Sequence, residues 1–190
     1  MSTQNSSSSR IHPQKFTLWV AMASIIMMFA GFTSAYIVKM NEGSWLKFQL
    51  PNIFWLSTVI ILLSSLTLHL AGKSFKAREM TRYRQLITVT AVLGLAFILC
   101  QYFGFRSLEK QGIELIGQRS NSAASYLLVI TGMHMLHVLG GIIAIAVILF
   151  LAYNGKVKNY SPLPLELTTI YWHFVDVLWI YLFIFYHFVG

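Results

Sequence analysis

Five runs of apolar residues, each bounded by polar or charged clusters, organise this chain of 190 residues: about 16–39, 52–72, 85–105, 124–153 and 166–189. A helix rising about 1.5 Å per residue needs about 20 apolar residues to cross a hydrocarbon core of roughly 30 Å. Every run is long enough. In hydrocarbon the backbone N–H and C=O groups have to be paired within the segment, so the pattern predicts transmembrane α-helices. The expected fold class is therefore all-α integral membrane, a bundle of five transmembrane helices. Periodicity says little about which helix faces meet, because lipid and a neighbouring helix accept the same apolar side chains. No internal repeat and no soluble domain is visible.

Composition agrees with a membrane chain: 56% hydrophobic and 11% charged, against about 25% charged in a soluble domain. The formal charge of +8 raises nucleic acid as a partner. However, the cations sit at the ends of the apolar runs. The densest group, Lys73, Lys76, Arg78, Arg82 and Arg84, reads as a connection between two membrane helices, so no nucleic-acid partner is expected. Arg10, Lys15, that group, Lys156 and Lys158 fall on one side of the bundle. Lys39, Lys47, Arg106, Lys110 and Arg119 fall on the other. The richer side is expected to be cytoplasmic, which puts the N-terminus inside and the C-terminus outside.

Residues 1–15, including Ser6 to Ser9, read as a disordered cytoplasmic tail, and 16–190 as the five-helix domain. The apolar run after Lys15 is too long for a signal-peptide core and lacks an A-x-A cleavage pattern, so it is expected to remain in the mature chain. Cys100 is the single cysteine, which excludes an intrachain disulfide and any CxxC motif. Trp19, Trp45, Trp55 and Trp172 fall near the expected interfaces, where indole rings favour the headgroup level. Pro51, Pro162 and Pro164 fit first helical turns. The polar stretch 106–123 is the longest connection and is expected in the periplasm.

Ionisable groups within a membrane are costly and mark function. Asp176 is the one carboxylate deep in a span, and His134, His137 and His173 are the deep histidines. His69 and His187 lie near span ends, within reach of headgroups or water. Counting along the helices puts His134 about 15 Å and His137 about 20 Å from the outer boundary. His173 and Asp176 fall about 10 and 15 Å from the inner one. A short connection makes the fourth and fifth helices antiparallel neighbours, so His137 is expected to share a level with His173 and Asp176. Each pair, His134/His137 and His173/Asp176, is spaced i, i+3 and occupies one helix face. Facing pairs of this kind suit either a hydrogen-bonded polar seam between helices or a haem or di-metal site. The chemistry alone leaves both open, with a proton-coupled transporter using Asp176 more distant, since repeat symmetry is lacking. Gly31, Gly94, Gly140 and Gly141 are read as close-packing positions. Met27, Met28, Met133 and Met135 are read as packing residues. Gln101 is read as a polar contact or an interfacial residue. No nucleophile–base pair, phosphate loop or paired-carboxylate site is present, so no catalytic residue is assigned.

Three segments resemble the subunit III family of cytochrome c oxidase. Tyr171-Trp172-His173-Phe174-Val175-Asp176-Val177-Leu178-Trp179 resembles the YWHFVDVVW signature of the family's last helix, with Glu166 at the place of the glutamate five residues before it. Gly132 to Gly141 resembles the GFHGLHVIIG segment of the preceding helix, and Phe29-Ala30-Gly31-Phe32 the FAGF of an earlier one. The resemblance implies a non-catalytic subunit III of a bacterial haem-copper terminal oxidase, in aerobic respiratory electron transport coupled to proton pumping. It implies subunit I as main partner, with subunit II and other oxidase subunits, and membrane lipid including a bound phospholipid. Haem and copper are implied in the partner subunits, with no cofactor or metal in this chain. On this resemblance His134, His137, Glu166, His173 and Asp176 belong to a structural polar seam or subunit contact, and the chain helps stabilise subunit I and sustain proton uptake. Quinol oxidases and nitric oxide reductases have similar subunits, so the resemblance leaves the electron donor open; a haem or di-iron membrane enzyme is the remoter alternative. Three departures stand out. Many members have seven helices, and this chain resembles the last five. Two family glutamates fall at Ile25 and, counting from Gln101, at Gly104.

Overall fold

The computed structural model describes residues 12–41, 50–113, 122–154 and 162–189. Within them lie α1 (Pro13–Met40), α2 (Ile53–Lys76), α3 (Met80–Lys110), α4 (Ser122–Tyr153) and α5 (Leu163–Val189). All five are long and apolar enough to cross a membrane, as the apolar runs predict. The helices overrun those runs, most at the Lys/Arg-rich end. There α2 continues to Lys76 and α3 begins at Met80, because polar side chains leave a helix intact once it reaches the interface. The helix α1 starts at Pro13, ahead of the expected position 16. Proline has no N–H to leave unpaired in a first turn, and its fixed φ suits the helix start. The rest of the expected tail, residues 1–11, lies outside the described residues, as do Trp45, Lys47, Arg119, Lys156 and Lys158.

The helices α2, α3, α4 and α5 pack in that order around a ring, with α5 closing against α2. The remaining helix, α1, lies in the outer groove between α4 and α5. The α2–α3 pair forms a tight hairpin through Ala77, Arg78 and Glu79. Arg78 takes a left-handed conformation at φ 61, and the Glu79 N–H reaches back to the Ser74 carbonyl at 3.0 Å. That bond pairs one of the carbonyls a helix end leaves free.

Two indoles from α5 fill the ring's centre. Trp172 and Trp179 are almost wholly buried. Trp172 lies between Gly94 of α3 and Gly141 of α4. A methyl group added at Gly94 would come 2.9 Å from the ring, and one at Gly141 2.8 Å. Its N–H donates to the Ser64 hydroxyl of α2 at 3.2 Å. Trp172 thus touches three helices besides its own and is a core residue, contrary to the interfacial position expected of it. The two glycines leave room for an indole where tryptophan's usual preference would place it at the headgroups. Trp19 and Trp55 are about half exposed, in keeping with interfacial positions.

Trp179 repeats the arrangement one level away. Its N–H donates to Thr58 at 3.0 Å, and its ring stacks near Phe54 and meets Phe97 edge-on. Of the four glycines read as packing positions, Gly94 and Gly141 fill that role. Gly31 and Gly140 are open to the outside, with nothing within 4 Å of a methyl at Gly31. Met28, Met133 and Met135 pack against the core, while Met27 faces outward. Gly104 also has a packing cause: Phe54 lies 2.9 Å from where its Cβ would be. An aromatic ring thus fills the space of the family glutamate. Ile25 packs partly buried against the core.

Candidate functional site

The intramembrane polar residues divide into two groups on different faces of the ring. From α4, His134 and His137 turn toward α1 and the core. His134 is fully buried, with its ring 5.3 Å from Trp179, 6.2 Å from Phe97 and 6.3 Å from Phe29. Neither ring nitrogen has a hydrogen-bond partner. His137 donates from Nδ1 to the Met133 carbonyl of its own helix at 2.7 Å, and its ring meets Phe29 at 5.8 Å. The adjoining backbone carbonyl of His137 accepts from the Tyr171 hydroxyl at 3.0 Å, a tie between α4 and α5.

From α5, His173 and Asp176 turn toward α2 instead. His173 Nδ1 shares a hydrogen bond with the Ser65 hydroxyl, and its ring lies 6.4 Å from that of His69. Asp176 is 3% exposed, and both its carboxyl oxygens lack a hydrogen-bond partner. The expected meeting of His137 with His173 and Asp176 therefore does not occur. Depth along the helices was a sound guide to level, but the two i, i+3 pairs point around the ring in different directions. Sequence reasoning missed Ser65 as the partner of His173. A serine in an apolar run carries no distinguishing signal until the facing helix is known.

The basic end holds the fifth residue. Glu166, in the first turn of α5, pairs with Lys15 of α1 at 2.8 Å, tying α1 to the rest of the bundle. Between α2 and α5, Glu166 also borders a groove whose parts have volumes of about 550 and 280 Å³. Lys76, Phe75 and Pro162 border it throughout, and His69 and Thr169 stand at its inner end.

Smaller polar ties run between the helices. Gln101 is buried, with Nε2 donating to the Ser57 hydroxyl at 3.1 Å and Oε1 unpaired. Thr67 and Thr90 share a bond at 2.8 Å between α2 and α3. Thr33 of α1 and Tyr181 of α5 share one at 3.0 Å. Bonds of this kind between membrane helices are each worth about 0.6–2 kcal/mol. Among the described residues no three His, Cys, Asp or Glu side chains converge as a metal-binding group.

The enclosure of His134 sets up a direct test. Because its own helices surround it, no group from another chain reaches the imidazole without repacking. Replacing two unpaired ring nitrogens by carbon removes a desolvation cost of about 1–3 kcal/mol, while the larger phenyl ring costs about 1–3 kcal/mol in overpacking. The expected outcome for His134→Phe is a folded, assembled chain within about 1 kcal/mol of the original stability. Thermal unfolding in detergent and the haem spectrum of the assembly check this. Loss of a haem band in an assembled His134→Phe variant would reveal a ligand.

Fold and site together define an all-helical, multi-pass membrane protein whose interior polar residues face other helices of the same chain. The profile described as "Cytochrome c oxidase subunit III" matches residues 15–190. A cytochrome c oxidase subunit 3 from Thermostichus vulcanus is 30% identical over 174 residues, 87% of this chain and 82% of the relative. One from Synechocystis sp. is 30% identical over 83% of this chain and 67% of its own length. A probable cytochrome c oxidase subunit 3 from Nocardia farcinica is 29% identical over 88% and 84%. The chain belongs to the cytochrome c oxidase subunit III family, and so to a component of a membrane-bound haem-copper oxidase of the respiratory chain.

Proposed function

We propose that this chain is the non-catalytic subunit III of a bacterial cytochrome c oxidase, packed against the subunit that carries the haems and copper and helping it sustain proton uptake. The observation that carries this reading is the use made of the signature on α5. Trp172 and Trp179 bind α5 to α2, α3 and α4 by packing and hydrogen bonds, and His173 bonds to Ser65 of α2. These side chains hold the bundle rigid, and its outer faces remain apolar for lipid and partner helices. Phe16, Met27, Leu136, Phe150 and Phe188 are all at least 60% exposed.

The distribution of Lys and Arg supports a cytoplasmic N-terminus and a periplasmic C-terminus in the inner membrane. The groove beside Lys76 has cations at its mouth and apolar walls, chemistry that suits a phospholipid with an anionic headgroup. Affinity purification of this chain from native membranes is expected to bring down a haem-bearing subunit I with subunit II. Recovery of the chain alone, in mild detergent, would contradict the reading.

The buried carboxyl of the α5 signature also predicts how activity fails. Asp176→Leu is expected to lower the yield of assembled oxidase, or shorten its working life during turnover, several-fold more than it lowers the initial rate. Oxygen-electrode traces of the purified complex, followed to inactivation, separate the two. Complete loss of the initial rate in a fully assembled variant would contradict it.

A further inference from the structure

Asp176 has a second feature that packing does not require: a polar connection to the surface. His69, on the exposed side of α2, lines the groove at the basic end together with Lys73, Glu166 and Thr169. Its ring centroid is 6.4 Å from that of His173, a separation of the size that a single bridging water can link. His173 Nδ1 bonds to Ser65. Asp176 follows His173 by three residues on the same face of α5, the face that meets Ser65 of α2, and its oxygens have no hydrogen-bond partner. Ser65 and His69 are one turn apart on α2, and His173 and Asp176 less than one turn apart on α5. The four groups therefore descend in order from the groove to a buried, unpaired carboxyl.

We infer that Asp176 is a proton-exchanging site, loaded from the groove through His69, His173 and Ser65. A proton arriving in the groove protonates His69; a water bridging the two rings accepts that proton and gives one of its own to His173 Nε2. His173 releases its Nδ1 proton to the Ser65 oxygen, and the Ser65 hydroxyl proton passes to the Asp176 carboxylate. The outcome is one proton taken from water and one carboxylate converted to carboxylic acid, and ring and hydroxyl rotations reset the carriers.

The other titratable groups of the helices around α5 lie elsewhere. His134 and His137 of α4 pack on Phe29, with His134 also on Trp179. Lys15 of α1 pairs with Glu166, and Lys73 and Lys76 of α2 border the groove. On α3 the cations stand near the helix ends. The inference is independent of which oxidase the chain serves, since it concerns protons within this chain alone.

Asp176 is the chain's single aspartate, so carbon-13 aspartate labels it uniquely. The full chain so labelled, in phospholipid vesicles, is read by infrared spectroscopy after rapid dilution into deuterated buffer. A labelled carboxylic-acid carbonyl band is expected at neutral pH, shifting as deuterium enters. Ser65→Ala and His173→Phe are each expected to slow that shift at least tenfold while leaving the band in place. Two outcomes overturn the inference: a labelled band of the ionised carboxylate only, or deuterium entry at the original rate in both variants. Helical circular dichroism of each variant shows that the bundle is intact.

Discussion

Trp172→Ala is expected to cost about 4 kcal/mol of stability, within the range for removing a buried tryptophan. The indole lies between Gly94 and Gly141 and donates to Ser64, so its loss opens a cavity that touches α2, α3 and α4 together. In a membrane the two glycine-bearing helices gain nothing from excluding water, and close van der Waals contact with the ring is most of what holds them. Collapse of the ring around the void is hindered by the residues at the neighbouring level, Phe97 and Trp179, which are themselves fully packed. Trp172→Phe keeps part of the ring and loses the N–H bond, and is expected to fall between the two. Equilibrium unfolding of the purified chain in mixed micelles gives the order. A Trp172→Ala variant within 1 kcal/mol of the original, against the expected loss of about 4 kcal/mol, would show that the ring does not organise the bundle.

The second large effect comes from the opposite change at the same place. Gly141→Val is expected to destabilise by about 3 kcal/mol, the upper end of ordinary overpacking. Its Cβ alone would meet the Trp172 ring at 2.8 and 2.9 Å. That ring is pinned from the far side by Gly94 and cannot shift as a flexible side chain would. Gly140→Ala is the control, because its added methyl meets only the Tyr171 hydroxyl, at an ordinary 3.7 Å. If the clash with Trp172 is the cause, shrinking the ring relieves it. The double variant Gly141→Val, Trp172→Phe is expected to recover at least 1 kcal/mol relative to additivity, as directly touching residues do. Simple additivity would place the cost elsewhere, in the backbone of α4.

The sequence made the spans legible because apolar length is a one-dimensional signal, and it also made α4 and α5 neighbours through their short connection. It did not make the faces legible. In a membrane helix the buried and lipid-facing side chains are both apolar, so Ile61, which is buried, and Leu62, which faces outward, look alike in sequence. That is why His134/His137 and His173/Asp176 were expected to face one another, although α4 presents its pair toward Phe29 and Trp179 and α5 presents its pair toward Ser65. For the same reason the sequence alone points Trp172 to an interface. The cue that it belongs in the core is the space left by Gly94 and Gly141, which are 47 positions apart and meet only once the ring of helices is assembled. Glu166 was recognisable from its place before the signature, yet its partner Lys15 stands at the other end of the sequence.

The central claim, that the interior histidines and Asp176 carry no electrons, is tested most directly by following the metals. The oxidase is purified through a tag on this chain, its haem and copper are counted, and the chain is then stripped with stronger detergent and both fractions are measured again. The expected result is that all haem and copper stay with the remaining subunits and the released chain is colourless. Haem or copper leaving with the chain, and lost on replacing His134, His137 or His173, would contradict the account.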